Sequence, residues 1–321
     1  MSIASIMSSI GSRGRKTVAA VVAAGTLLAM AACGGAGAAD SASSSAAGTA
    51  SSQTADAKPI TVVASINQWG SVAKDLGGDL VDVTAIMTNT NVEAHDYEPT
   101  SQDVAKFAGA QVTVVNGADY DPWASKAAGS TKATVVDAAE TAGIKEGDNP
   151  HVWFSAKVRE SAADAITKAY IAAEPANQAK FEELNKAWKD RETKLEGKIK
   201  DASAKLKDLP YAATESVAWY LADDLGMKDA TPTGYAQASA NESEPTSADI
   251  KAFQDALKDG KSIKTLVLNT QETNSTTDQI TSAAKEGDVP VVELTEQMPQ
   301  EYDDLLDWMS ALVDDFAAAA K

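Results

Sequence analysis

From about residue 60 onward, short runs of apolar and β-branched residues alternate with longer stretches in which apolar positions recur every three or four residues. Residues 60–65, Ile-Thr-Val-Val-Ala-Ser, read as a buried strand, and the stretch through Trp69, Val72 and Leu76 reads as the helix that follows it. Residues 81–87, 111–115 and 134–136 are further short β-rich runs separated by helical or turn segments. That alternation predicts an α/β lobe with a mainly parallel sheet covered by helices. Between 175 and 206, Phe181, Leu184, Trp188, Leu195, Ile199, Ala202 and Leu206 fall at helical intervals among many charges. One amphipathic helix of about 45 Å, at 1.5 Å per residue, accounts for them and would join two lobes as a rigid spine. Gly197 leaves open a break into two helices. The alternation then resumes: strands at 211–214, 265–268 and 291–294, helices at 217–225 and 248–257, and a closing helix from Glu301 predict a second α/β lobe.

An internal echo ties the two halves together. Glu98-Pro99-Thr100-Ser101-Gln102-Asp103-Val104, followed by Phe107, recurs as Glu244-Pro245-Thr246-Ser247-Ala248-Asp249-Ile250, followed by Phe253. Each copy has the form of a helix start, with Thr100 or Thr246 as N-cap and an acid three residues on to answer exposed amides. The echo predicts related lobes rather than a ligand site.

The N-terminal region has a different pattern. Arg13, Arg15 and Lys16 precede an apolar run over 17–30, and the small pair Ala31-Ala32 stands directly before Cys33, the single cysteine of the chain. The run falls short of the roughly 20 residues that span a bilayer, so it reads as a secretory signal. A cysteine in that place resembles a bacterial lipobox, with Met30 where leucine is usual, and Cys33 would then become the lipid-modified first residue of the mature chain. The following Gly, Ala, Ser and Thr residues have nothing to bury and form a flexible tether. The predicted organisation is a signal peptide at 1–32, lipidated cysteine and linker at 33–58, a first lobe at 59–174, the linking helix at 175–206 and a second lobe at 207–321. The whole chain of 321 residues suits about two cores. With 46 acidic against 28 basic residues and a formal charge of −18, no nucleic-acid partner is expected.

The chain has two histidines, His95 and His151, and both lie in turn-rich segments beside proline, aromatic and acidic residues. In open α/β sheets such loops gather beyond the carboxyl ends of the strands, where ligands bind. The strings His-Asp-Tyr-Glu-Pro-Thr at 95–100 and Asn-Pro-His-Val-Trp at 149–153 resemble the solute-binding proteins of bacterial zinc and manganese ABC transporters, cluster A-I. Thr214-Glu215-Ser216, Glu244-Pro245, Leu268-Asn269-Thr270-Gln271 and residues 291–299 extend the resemblance from about Ile60 to the C-terminus.

That resemblance implies four metal ligands drawn from both lobes: His95, His151, Glu215 and an acid after the last core strand, best matched by Glu296, with Glu293 the weaker choice. Two imidazoles and two carboxylates suit manganese, zinc or iron and neutralise a dication. Members specific for zinc often carry a third histidine where Glu215 stands, and a histidine-rich loop; both departures lean toward manganese, whereas intrinsic affinity favours zinc. Asp96, Tyr97, Trp153, Asn269 and Gln271 are candidates for orienting the ligands or for simple packing. The implied protein is not an enzyme and has no catalytic cofactor. It is a monomeric, extracytoplasmic receptor anchored through Cys33 to the outer face of the cytoplasmic membrane, and it hands Mn²⁺ or Zn²⁺ to an ABC permease, with the ion bridging the lobes and holding the cleft closed. The alternatives are a lipid-anchored adhesin or scaffold with a vestigial cleft, a receptor for an organic solute or siderophore complex, and a metallohydrolase. The last lacks a His-Glu-x-x-His helix or a nucleophile elbow.

Overall fold

Among the described residues, eight strands form two parallel sheets of four, and the central strands are apolar on both faces because helices cover both. The computed structural model describes residues 58–91, 97–241 and 243–320, all within one compact unit spanning Ala55–Lys321. The expected signal peptide, Cys33 and the tether as far as residue 57 lie outside the described residues.

The first lobe runs β1 (Ile60–Ile66), α1 (Asn67–Gly77), β2 (Val81–Met87), α2 (Ser101–Ala108), β3 (Val112–Val115), α3 (Pro122–Gly129), β4 (Thr134–Asp137), α4 (Ala138–Thr141) and α5 (Ala156–Ala173). After α6 (Gln178–Leu206) come β5 (Pro210–Ala213), α7 (Trp219–Asp224), β6 (Lys228–Asp229), α8 (Thr233–Ala240), α9 (Ser247–Lys258), β7 (Thr265–Asn269), α10 (Ser275–Glu286), β8 (Val291–Leu294) and α11 (Leu305–Ala319). The sheet orders are β2-β1-β3-β4 and β6-β5-β7-β8, so the second sheet repeats the topology of the first strand for strand. The echoed sequences occupy equivalent places, opening α2 and α9. Thr100 with Asp103 and Thr246 with Asp249 each form a complete capping box.

The spine helix is continuous through Gly197 and begins at Gln178, after a 3₁₀ turn at Pro175–Asn177. Its 29 residues reach about 44 Å at 1.5 Å each. Its inner face buries Trp188, Leu195, Ile199, Ala202 and Leu206 as the periodicity predicts, while Leu184 is only half-buried. The closing helix starts at Leu305, four residues later than the apolar pattern suggests, because the Asp304 side chain accepts from the amides of Leu306 and Asp307 and fixes the start there. Strand β6 was not predicted: its two residues are exposed and carry no apolar signal. A continuous apolar core contains residues of both sheets together with α6 and α11, including Val62, Trp69, Leu195, Tyr211, Val292 and Met309. The lobes therefore share a packed interior.

Two charged groups inside this junction are absent from any apolar pattern. On α5, Arg159 is 0% exposed and pairs with Glu192 of α6, also 0% exposed, through Nε and a terminal nitrogen at 2.6–3.1 Å. Its other terminal nitrogen donates to the Trp153 carbonyl at 3.0 Å, so the pair also fixes the backbone two residues after His151. Nearby, Arg191 of α6 bonds Asp75 of α1 at 3.1 Å and Asp304 at 2.5 Å. Burial, then hydrogen bonding and repulsion from Asp304, push the Asp75 pKa up to about 7, while Arg191 opposes the shift. Burial works to raise the Asp304 carboxyl, but hydrogen bonds with Arg191 and Asp75 outweigh it and hold the group below its ordinary value.

Removing one member of the buried pair strands the other charge, so Arg159→Leu is expected to cost about 3–5 kcal/mol in urea unfolding. Replacing both, with Arg159→Met and Glu192→Leu, is expected to recover most of that loss. The Asp75 shift has a definite sign. A carboxyl whose pKa is raised in the folded state favours folding while protonated, and that contribution falls as pH rises from its ordinary 3.8 to about 7. Asp75→Asn should therefore flatten the decline in thermal midpoint across that window and unfold at a higher temperature than the parent at pH 8. Equal pH slopes for parent and variant would contradict the assignment.

Candidate metal centre

In each sheet the strand order reverses between the first and third strands, β1 and β3 or β5 and β7, and loops beyond these carboxyl ends open a crevice suited to ligands. Glu215 lies two residues past β5, Asn269 is the last residue of β7, and Glu296 lies two residues past β8. His151 belongs to the first lobe, in the turn between α4 and α5, where a 3₁₀ turn at Val152–Phe154 begins. His151, Thr214, Glu215 and Ser216 line one cleft of about 450 Å³, with α8 and the start of α10 forming its far wall.

The histidine is held in one orientation. It is 5% exposed, and its ring packs edge-on against Tyr120 and Trp153, with centroids 5.9 and 5.5 Å away. Asn149 Oδ1 accepts from the His151 backbone amide at 3.0 Å and lies 2.9 Å from the ring Nδ1. Because that oxygen already faces a backbone donor, it calls for a proton on Nδ1, and the neutral ring then presents the Nε2 lone pair that a metal requires. The turn itself is pinned from below. Asn116 donates to the Pro150 carbonyl at 2.8 Å and accepts from the Trp69 indole at 3.0 Å.

The two acids are brought together by one amide. Asn269 Nδ2 donates to Glu215 Oε2 and, at 3.1 Å, to Glu296 Oε1. Its oxygen accepts from the Gln271 backbone amide at 3.0 Å, which sets the direction in which the NH₂ group points. Glu296 is 1% exposed and also accepts from the Tyr120 hydroxyl at 2.8 Å. The alternative acid, Glu293, points to solvent from β8. Of the other neighbours, Trp153 is buried against the His151 ring. Tyr97 hydrogen-bonds Asp103 at 3.0 Å and stacks on Trp123, so it serves packing around α2, and burial raises its pKa to about 12. His95 and Asp96 lie outside the described residues. Among the described residues, no three His, Cys, Asp or Glu side chains are grouped closely enough to hold an ion.

Glu296 is attached to both lobes. Gln68 of α1 donates to the Glu296 carbonyl at 2.6 Å, and Asn67 exchanges two bonds with the Met298 backbone at 2.6 and 3.2 Å. On the other side of the cleft, Asn149 donates to the Ser216 carbonyl at 2.8 Å, and the Tyr220 hydroxyl donates to the Asn149 carbonyl at 2.9 Å. Protein hydrogen bonds therefore join the two lobes around the cleft. Tyr120, Asn149 and Asn116 were not singled out from sequence. Their signals were an Asn-Gly turn at the end of β3, in which Gly117, Ala118 and Asp119 have positive φ, and an asparagine two places before the histidine.

Known proteins resemble this chain in sequence and in fold. The iron-binding protein YfeA of Yersinia pestis is 28% identical over 185 residues, which cover 54% of this chain and 59% of that protein. The manganese ABC transporter substrate-binding lipoprotein PsaA of Streptococcus anginosus is 25% identical over 280 residues, covering 75% of this chain and 87% of the relative. Among solved structures, the laminin-binding protein Lmb of Streptococcus agalactiae superposes with a TM-score of 0.70 at 22% identity, over 82% of this chain and all of that one, and so shares the fold. Such relatives are metal-binding components of transporters, not enzymes. Residues 62–319 match the family described as zinc-uptake complex component A, periplasmic, and the chain belongs to that family.

Proposed function

We propose that the chain is the extracytoplasmic receptor of an ABC importer that takes a divalent transition-metal ion, Mn²⁺ or Zn²⁺, at His151, Glu215, Glu296 and His95. The observation that carries this reading is that Glu215, which lines the cleft with His151, is gathered with Glu296 on the one amide of Asn269. Two carboxylates held this close repel each other, and a dication between them removes that cost. With neutral imidazole they form a donor set common to zinc, manganese and iron. The names of the relatives span the same three metals. Fixing the Nδ1 proton on Asn149 leaves Nε2 as the ligand atom, which is the usual arrangement at protein metal sites.

The permease is the partner that receives the ion, and Cys33 is the point of lipid attachment. The run before Cys33 supports export, and the lipoprotein named among the relatives supports the anchor. Among the described residues no helix is long and apolar enough to cross a bilayer.

Ligand binding to the folded state alone raises stability by mass action, by about 2.7 kcal/mol at a hundredfold excess over Kd. Stoichiometric Mn²⁺ or Zn²⁺ is therefore expected to raise the thermal midpoint of chelator-stripped protein by several degrees. In His151→Ala the rise between metal-free and metal-loaded samples should disappear at the same metal concentration, whatever the midpoint of the metal-free variant. A parent protein that responds to neither ion would remove the metal reading. In cells, Cys33→Ala is expected to move the protein from the membrane fraction to the soluble extracytoplasmic fraction, and unchanged fractionation would exclude the anchor.

A further inference from the structure

The hydroxyl of Tyr120, a first-lobe residue, bonds a carboxylate oxygen of Glu296 from the second lobe, and the direction of that bond is fixed by a chain of amides behind it. Gln271 Oε1 accepts from two backbone amides, those of Glu296 and Gln297, each at 3.2 Å. Main-chain amides can only donate, so the Gln271 oxygen must face them and its NH₂ must face away. That NH₂ donates to Gln297 Oε1, which turns the Gln297 NH₂ toward Tyr120, whose oxygen accepts it at 2.9 Å. With its lone pair engaged by a donor, the tyrosine directs its own hydrogen to Glu296 Oε2 at 2.8 Å. Every rotor in the series is thus set by two peptide N–H groups.

We infer that Tyr120 is a positioning residue for the bound ion. It fixes the orientation of the Glu296 carboxylate before any ion arrives, and it acts through that carboxylate without touching the metal. The inference rests on the proposed metal site. Asn269 restrains Glu296 Oε1 from the second lobe and Tyr120 restrains Oε2 from the first, so the carboxylate plane is fixed at both ends. Rotamer freedom already lost in the free protein is not lost again on binding, which is how preorganisation raises affinity. Partners of this kind behind a metal ligand typically contribute about 10–100-fold in affinity. The ring also has a separable packing role, being 3% exposed and set against His151 and Trp153. Phenylalanine keeps that packing and deletes only the bond.

The test measures Kd for Mn²⁺ and for Zn²⁺ by chelator competition in the parent, Tyr120→Phe, Gln297→Met and the double variant, all of which retain the four proposed ligands. Tyr120→Phe is expected to lose about 10–100-fold in affinity, with the metal-free thermal midpoint close to that of the parent. Gln297→Met should lose less, because the hydroxyl is then merely free to rotate. The double variant should match Tyr120→Phe, since Gln297 acts on the ion only through the hydroxyl. Unchanged affinity in Tyr120→Phe, or losses that add in the double variant, would overturn the inference while leaving the metal site intact. A parent that binds neither ion would instead overturn the proposed function.

Discussion

Two carboxylates, one half-buried and one fully buried, share the hydrogens of a single amide, and the architecture around the site follows from that constraint. Buried charges of one sign are unfavourable unless donors or an opposite charge answer them. Here Asn269 and Tyr120 are among the donors that answer. The donors themselves cannot turn, because backbone amides fix Asn269 through Gln271 and fix Tyr120 through two glutamines. Backbone geometry at the end of one parallel sheet is thereby carried into the orientation of charged oxygens.

Repetition of one topology explains how the remaining groups reach the same place. Two sheets of the same strand order, facing each other across a crevice, bring loops from two topological switch points together. The spine helix and the shared core fix their separation, and the buried Arg159–Glu192 pair couples that helix to the backbone beside His151. Pairs buried this completely seldom add net stability over apolar replacements, so its place here is better explained by the register it imposes between α5 and α6.

Much of the fold was legible in the sequence because strand period, helical spacing and capping chemistry all pointed the same way. Val81–Met87 and Val291–Leu294 have the bounds their apolar runs suggest, and both capping boxes are present. Lys228–Asp229 was illegible because an exposed edge pair needs no apolar residue. Of the site, the sequence offered the acids and histidines through their motifs, with Glu296 the better match and Glu293 the weaker one, and the side chain of Glu293 is exposed on β8. It did not offer Tyr120 or Asn149. Their roles arise from hydrogen bonds between residues far apart along the chain, such as the bond linking positions 120 and 296, and no local pattern encodes such a pairing.

If the cleft is a metal site, His151, Glu215 and Glu296 must converge on one ion. Anomalous X-ray diffraction from crystals grown with Mn²⁺ or Zn²⁺ tests this most directly. The expected result is a single strong peak about 2.0–2.3 Å from His151 Nε2 and from an oxygen of each glutamate. A peak bound elsewhere, with those three side chains outside its coordination sphere, would contradict it.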